Sequence, residues 1–588
     1  LKIGQILERD LFRVMPLAVA GTLLVTLVGF RNLRGMLVPA AANGVALVIT
    51  MTAFTLAGHA INLITVLLPP VIYVVGYTYA IHVISDFERA LCRGQERRDA
   101  ARHAVHEAGL PLVLTALTTA IGFASLTINS IEAVRVFGTY AALGTLVAMI
   151  VALVLAPAFL SLLPVAPARH GQVDWLTRRT PDVVRFNQRW RRTILISGGI
   201  LVTVAGAAAC RIEVDTNYLR SFAKDSQVRQ DFVSLDEAFG GAAPLTILLD
   251  SDAPGGFTEP DQWRAVSQLS QWLSAQPEIE GAYAITNYLD TVQRAFMQAD
   301  APADGVPSSS NLTRELLLMF GNTDVDRLLN RRHNSTVSHA RTGTVSAQEL
   351  AALVDRIEAR ISVLPTSLHA KVTGSSVVLA ATLDDVSMGQ VASMGFTLVV
   401  IFALLLILFR SATSGMVTLL PNLLPPIAFF GCLGAISLKL SLSTSLIAPI
   451  VIAIAIDDTI HLYARYLREL QRTPDREAAI AQSLSAVIRP VTLTSIALGV
   501  GFLAMTSGEL ETQKEFGLLA ASMLAVAWFL DLTLTPAIAV TGTSVRTPRP
   551  TSERDFETDA SAITFLQRAR AFRERAVMPW GALRSRTP

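Results

Sequence analysis

The chain of 588 residues is 51% hydrophobic and only 16% charged, with a positive mean hydropathy, which excludes an ordinary water-soluble enzyme. Its formal net charge of +2 gives no sign of nucleic-acid binding. Three cysteines, Cys92, Cys210 and Cys432, stand far apart in or beside apolar runs, so they read as packing residues and not as a disulfide framework or metal site.

A membrane helix needs about 20 largely apolar residues. Eleven such runs are predicted, at 14–30, 37–58, 61–84, 108–128, 134–163, 193–210, 391–409, 416–438, 442–464, 487–507 and 517–540. Residues 1–13 are amphipathic and lack the basic start and small-residue cleavage site of a signal peptide. The first five runs make a bundle over 1–163. Residues 164–192, basic and amphipathic from Trp175 onward, read as a cytoplasmic linker along the inner membrane surface, and 193–210 as a linking helix.

Arginines set the orientation, because cytoplasmic loops retain them. The loop 85–107 carries Arg89, Arg93, Arg97, Arg98 and Arg102; the loops 164–192 and 465–489 are also Arg-rich, while those near His59, Ile131, Lys439 and Glu509 are nearly free of them. Segment 211–388, of soluble composition, therefore faces outside. The runs 244–249 and 368–372 predict strands. Helices are predicted after Thr258, Glu259, Pro260 and Asp261, and over 350–364 behind a capping box from Ser346 to Glu349. Residues 299–311 read as a loop. One α+β module results, either a substrate-handling domain or a rigid cover. The second bundle occupies 389–540, and 541–588 is a cytoplasmic tail with nine arginines against five acids.

The two bundles repeat each other without a gap. Phe30, Pro70, Ile81, His82, Pro111, Thr115, Gly122, Phe123, Phe137, Gly138 and Pro157 each recur 379 positions later, as Phe409, Pro449, Ile460, His461, Pro490, Thr494, Gly501, Phe502, Phe516, Gly517 and Pro536. The sequence thus predicts a polytopic α-helical membrane protein of two repeated helical bundles, about 11 transmembrane helices, with one α+β external domain. By symmetry the first half is expected to have an opening span and an external domain of its own, so a fragment, or a subunit that borrows those parts, is the expectation.

Carboxylates inside a membrane helix are costly and usually functional. Asp457 and Asp458 are adjacent, so on a helix they point about 100° apart. His461 lies four and three residues beyond them, on an overlapping face. Thr492, Thr494 and Ser495 offer hydroxyls for a relay. Asp531, whose repeat partner is Ala152, either joins that relay or bonds a neighbouring helix. The plainer reading is polar packing near the cytoplasmic side, with His461 at the water interface. The first half has Thr78 and Tyr79 where the second has the two aspartates, and Tyr79 is a candidate to hydrogen-bond across the interface. No GxxxxGK[ST], HExxH or GxSxG motif occurs, which favours an ion gradient over ATP and leaves no cofactor or metal expected.

The AIAIDDTIH run of 453–461, RPVTLTS of 489–495, VDTNYLR of 214–220, QDF of 230–232 and FGG of 239–241 resemble the resistance-nodulation-division superfamily, in its MMPL and sterol-sensing-domain-like branch of predicted exporters. The likeness covers the chain to about residue 540. It implies that Asp457 and Asp458 couple inward proton movement to export of lipids or other hydrophobic molecules from the inner membrane, with protons, membrane lipids and a periplasmic partner or missing N-terminal half as partners. Two other readings stay open: a sterol-sensing-like lipid receptor that pumps nothing, and an accessory factor for protein translocation.

Overall fold

An apolar chain in a bilayer must satisfy its backbone polar groups internally, and helices do so span by span. The computed structural model describes residues 2–162, 175–212, 222–223, 225–239, 241, 243–297, 306–320, 325–343, 347–409, 411–436, 446–473 and 475–541. The first half consists of α1 (Lys2–Phe30), α2 (Leu33–Leu56), α3 (Leu68–Cys92), α4 (Arg97–Ser125) and α5 (Glu132–Leu162), followed by α6 (Trp175–Ala209). The external domain contains α7 (Gln227–Phe239), β1 (Ala243–Ser251), α8 (Pro260–Ser274), β2 (Ile279–Ala284), α9 (Ile285–Met297), α10 (Ser310–Phe320), α11 (Val325–Leu328), β3 (Ser335–Thr342), α12 (Ala347–Ile361) and β4 (Leu368–Thr373). The second half runs through α13 (Ser375–Phe409), α14 (Ala412–Ala435), α15 (Ile447–Arg472), α16 (Arg476–Ala504) and α17 (Glu511–Thr541). Among the described residues ten helices are long and apolar enough to cross a membrane. The eleventh expected span is the C-terminal part of α13, whose apolar stretch Ala392–Ile407 continues a 35-residue helix. The protein is a multi-pass membrane protein.

The repeat is visible in the element bounds. Helices α2, α4 and α5 start and stop at residues whose counterparts 379 positions later start and stop α14, α16 and α17. Even the caps correspond: the Asn32 side chain accepts from Gly35 N at 2.5 Å, and Ser411 Oγ from Ser414 N at 3.3 Å.

Helices α3 and α15 are the central pair. The apolar window of α3 is 100% buried and that of α15 is 89% buried, the mark of helices surrounded by protein. The halves meet crosswise through small residues, as membrane helices do when backbones approach closely. Gly122 of α4 lies against Ala453 of α15, where an added methyl group would come within 2.0 Å of the alanine Cβ; Gly501 of α16 lies against Val74 of α3, where an added methyl group would come within 2.4 Å of the valine side chain. These two contacts are repeat images of each other. Linking helix α6 packs on α14 in the same manner, with Gly431 against Ala205 and Gly434 against Ala208.

Several predicted boundaries move. Residues 2–13 belong to α1, which is continuous from Lys2. The Arg-rich loops shrink to short turns: α3 reaches Cys92 and α4 begins at Arg97, with Gly94 supplying φ +83 between them. Likewise α15 reaches Arg472 and α16 begins at Arg476. Arginine is a good helix former, so leaving the apolar zone does not end a helix. For the same reason Trp175–Arg192 does not form a separate surface helix; it is the first part of the 35-residue α6.

In the external domain Leu245, Ile247 and Leu249 alternate inward along β1, as a half-buried strand requires. The sheet order is β2-β3-β1-β4 with every neighbouring pair antiparallel. Units β1-α8-β2 and β3-α12-β4 therefore interlock as two split βαβ motifs, a ferredoxin-like arrangement, with α9 to α11 inserted between them. Trp263, Leu269 and Leu273 of α8 and Leu353 and Ile357 of α12 cover the sheet. The predicted strands 244–249 and 368–372 fall within β1 and β4. Helix α8 starts at Pro260 with Glu259 in the cap position, and the Thr258 hydroxyl instead donates to Gly255 O at 2.7 Å. Of the predicted loop 299–311, Ser310 and Asn311 open α10, while 299–305 lies outside the described residues. So do Ser346 of the capping box, the VDTNYLR run, Gly240, the turn at Lys439 and residues 542–588.

Asp10 ties α1 to the second bundle: its buried carboxylate accepts from Glu509 N at 2.6 Å and Leu510 N at 3.0 Å. Gly122→Leu is expected to lower the thermal midpoint of detergent-solubilised protein, overpacking costing about 1–3 kcal/mol. Gly499→Ala, with nothing within 4 Å of its added methyl, leaves the midpoint unchanged or slightly higher. Equal midpoints for the two variants would remove this close approach from the account.

Candidate functional site

The middle of α15 carries two carboxylates, both buried, and its neighbours supply their partners. Asp458 faces α16, where Ser495 Oγ donates at 2.7 Å and Thr494 Oγ1 at 3.2 Å. Asp457 points the other way, toward the first half. His461 Nε2, one turn on, stands 3.3 Å from Asp457 Oδ1, out of hydrogen-bond alignment. The ring of His461 stacks on His82 of α3, with centroids 4.2 Å apart and planes 9° from parallel.

A third carboxylate closes the group. Asp531 of α17 accepts from Thr459 Oγ1 at 2.5 Å and from Thr535 Oγ1 at 3.0 Å. Thr459 also accepts from Asn422 Nδ2 of α14 at 2.8 Å. A hydrogen-bonded chain therefore crosses from α14 through α15 to α17, one residue from Asp458. Asp531 thus bonds the neighbouring helix α15 through Thr459.

Pro490 shapes the approach from the Arg-rich end. Proline cannot donate to the carbonyl four residues back, which frees Ala486 O. Arg89 of α3 takes that carbonyl at 3.2 Å and pairs with Asp86 at 2.8 Å. The repeat image of this contact is Arg468 of α15 with Glu107 of α4, at 3.3 Å. These charged groups line a cavity that also reaches His82 and His461. His461 is 13% exposed, so the histidine pair sits where that cavity meets the interior.

The predicted residues thus divide. Asp457, Asp458, His461, Thr494, Ser495 and Asp531 come together. Thr492 does not join them; its hydroxyl accepts from Trp528 Nε1 at 3.2 Å, because it lies about 200° around the helix from Thr494. Tyr79 is buried, but its hydroxyl has no hydrogen-bond partner, so the expected bond to an aspartate is absent. His82, Thr459 and Asn422 were not singled out as site residues. The repeat carries the signal for two of them: His82 is the counterpart of His461, and Asn422 that of Asn43, another buried asparagine in an apolar span.

The set holds acids, imidazoles and hydroxyls in a water-poor interface. That chemistry suits moving or holding protons and cations.

The MMPL family model matches residues 2–196 and 331–580. "Putative membrane protein MJ1562" of Methanocaldococcus jannaschii is 24% identical over 367 residues, 61% of this chain and 92% of that protein. "Probable transport protein MmpL12" of Mycobacterium tuberculosis is 24% identical over 288 residues, 46% of this chain and 24% of that protein. The apo-petrobactin exporter of Bacillus anthracis is 26% identical over 220 residues, 33% of this chain and 28% of that protein. The chain therefore spans about a quarter of the length of the two transport proteins.

Thr459→Val removes a donor from Asp531 and an acceptor from Asn422. It is expected to destabilise the detergent-solubilised protein by about 1–3 kcal/mol, read as a lower thermal midpoint. Thr203→Val, whose exposed hydroxyl donates only to Gly199 O of its own helix, is the control and leaves the midpoint within error.

Proposed function

Because the chain belongs to the MMPL family, we propose that it is a membrane transporter in which protons moving inward through the second bundle drive export of lipids or other amphipathic molecules. The observation that carries this reading is the placement of Asp458: a buried carboxylate held by two hydroxyls of α16, beside an acid and a histidine pair that reach a cavity at the Arg-rich end. Two adjacent acids in a low-dielectric setting do not readily ionise together, so they share an exchangeable proton. Protonation of Asp458 turns one of its two accepting oxygens into a donor, at either Ser495 or Thr494. That change biases the packing of α15 on α16 and, through Gly501, of α16 on α3.

The proton enters from the outside face, occupies the aspartate pair, and leaves past His461 and His82 into the cavity. Arginines at that end mark it as cytoplasmic. The external domain passes the movement of α13 to substrate, since β4 leads directly into that helix after Gly374. Partners on this reading are protons and hydrophobic molecules, and the names of the relatives MmpL12 and the apo-petrobactin exporter agree with transport.

A lipid receptor without pumping draws on one observation, the absence of any carboxylate at Thr78 and Tyr79 in the first half. Proton flux into proteoliposomes separates the readings. Wild type is expected to acidify the lumen under an imposed gradient. Asp457→Asn and Asp458→Asn, inserted to the same level, fall to the rate of empty liposomes. Wild type that moves no protons, or variants as fast as wild type, would make lipid binding without pumping the better reading.

A further inference from the structure

Three ligand-capable atoms at the interface of the two halves are buried and have no hydrogen-bond partner: His82 Nε2, Asp457 Oδ1 and His461 Nε2. Buried polar atoms are nearly always satisfied; here His461 Nε2 and Asp457 Oδ1 face each other at 3.3 Å out of hydrogen-bond alignment and His82 Nε2 beside them has no hydrogen-bond partner, an arrangement that a shared ion would satisfy. The donor atoms of these residues lie within 4.8 Å of one another. His82 is 5% and Asp457 8% exposed, so both are buried side chains, with His82 at the inner end of the cavity.

We infer that a divalent transition-metal ion of the zinc class binds His82, Asp457 and His461, bridging the two repeated halves. Two imidazoles and one carboxylate with a fourth position open are a zinc donor set. Calcium and magnesium want six or more oxygen ligands, which one carboxylate does not supply. Zinc–nitrogen bonds of about 2.0–2.1 Å put two donors on one tetrahedral ion about 3.4 Å apart. The present spread of up to 4.8 Å therefore has to close by up to about 1.4 Å when the ion binds, a movement required of the two histidine side chains.

A cation can reach this place. The cavity that ends at the histidines is lined by Arg89, Arg465 and Arg468, but each of these is engaged by an acid: Arg89 with Asp86 at 2.8 Å, Arg465 with Glu469 at 2.7 Å and Arg468 with Glu107 at 3.3 Å. The positive charge at the mouth is thus largely cancelled. Ligands from α3 and α15 mean that the ion ties the bundles together across their seam. Binding itself does not depend on the proton reading; an inhibition of transport by the ion rests on it, because Asp457 is then taken out of the path.

The test is metal binding by the full chain in detergent, purified through a tag without histidine and stripped with chelator. Cobalt(II) added alone is expected to give visible tetrahedral absorption that saturates at one ion per chain and is displaced by zinc. His82→Ala and His461→Ala each weaken that binding by at least the roughly tenfold that loss of an outer-shell partner costs. His369→Ala, an exposed histidine of the external domain, does not change it. The proposal is overturned by wild-type protein without a saturable tetrahedral spectrum, or by affinity that survives His82→Ala. Should that variant not fold, His461→Ala decides in the same assay. Zinc binding retained in a protein that moves no protons leaves this site standing and removes only the transport reading.

Discussion

A carboxylate inside a membrane protein has to be given partners, and the second bundle is arranged around three of them. Asp457, Asp458 and Asp531 are met by side chains from α15, α16 and α17, with Asn422 of α14 holding Thr459 and His82 from the first half's α3 beside Asp457. An unpaired buried charge costs several kcal/mol, whereas a buried methylene contributes about 0.8 kcal/mol. The polar contacts therefore outweigh any single apolar contact in setting where these helices lie. Apolar residues such as Ile450, Val451 and Ile454 fill the space that remains around α15.

Hydroxyls reach across only if helices come close, and small residues permit that. Gly122 against Ala453 and Gly501 against Val74 bring α4 onto α15 and α16 onto α3. Thr119 Oγ1 of α4 then donates to Ala453 O at 3.0 Å, a bond that exists because the backbones nearly touch. Sequence, packing and site are linked at this point: larger side chains at the two glycines push the halves apart, and the histidine stack opens with them.

Much of this was legible in advance. The constant offset of 379 placed equivalent residues at equivalent ends of helices, since a gap-free repeat keeps its turn geometry. Adjacent aspartates in an apolar run marked the site, because few other residues are so costly there. Helix ends were less legible: the polar stretches 85–92 and 97–107 leave the apolar zone but continue as helix, so hydropathy misplaces the turn. The partners of each acid were harder still. Thr492 and Thr494 look alike in sequence, yet 200° of helix rotation sends one to Trp528 and the other to Asp458. In the external domain the strands were readable from alternation, but their order, with β1 between β3 and β4, depends on two crossovers that pattern alone does not fix.

The unequal chemistry of the two halves has a geometric consequence. Residues related by a parallel repeat occur in pairs on either side of an axis along the membrane normal. Gly122 with Ala453 and Val74 with Gly501 form one such pair of contacts; Arg89 with Ala486 and Arg468 with Glu107 form another. Repeat counterparts touch each other directly only on the axis, and His82 with His461 are counterparts that stack. The axis therefore runs between the two imidazoles. Asp457 is the acid on the His461 side of that stack, and its counterpart in the first half is Thr78, whose hydroxyl turns back to Val75 O at 2.8 Å. A carboxylate at both positions would set like charges across one narrow seam. With Thr78 on one side and Asp457 on the other, a single acid meets the histidine pair, so both halves line the axis while only one of them supplies a carboxylate there.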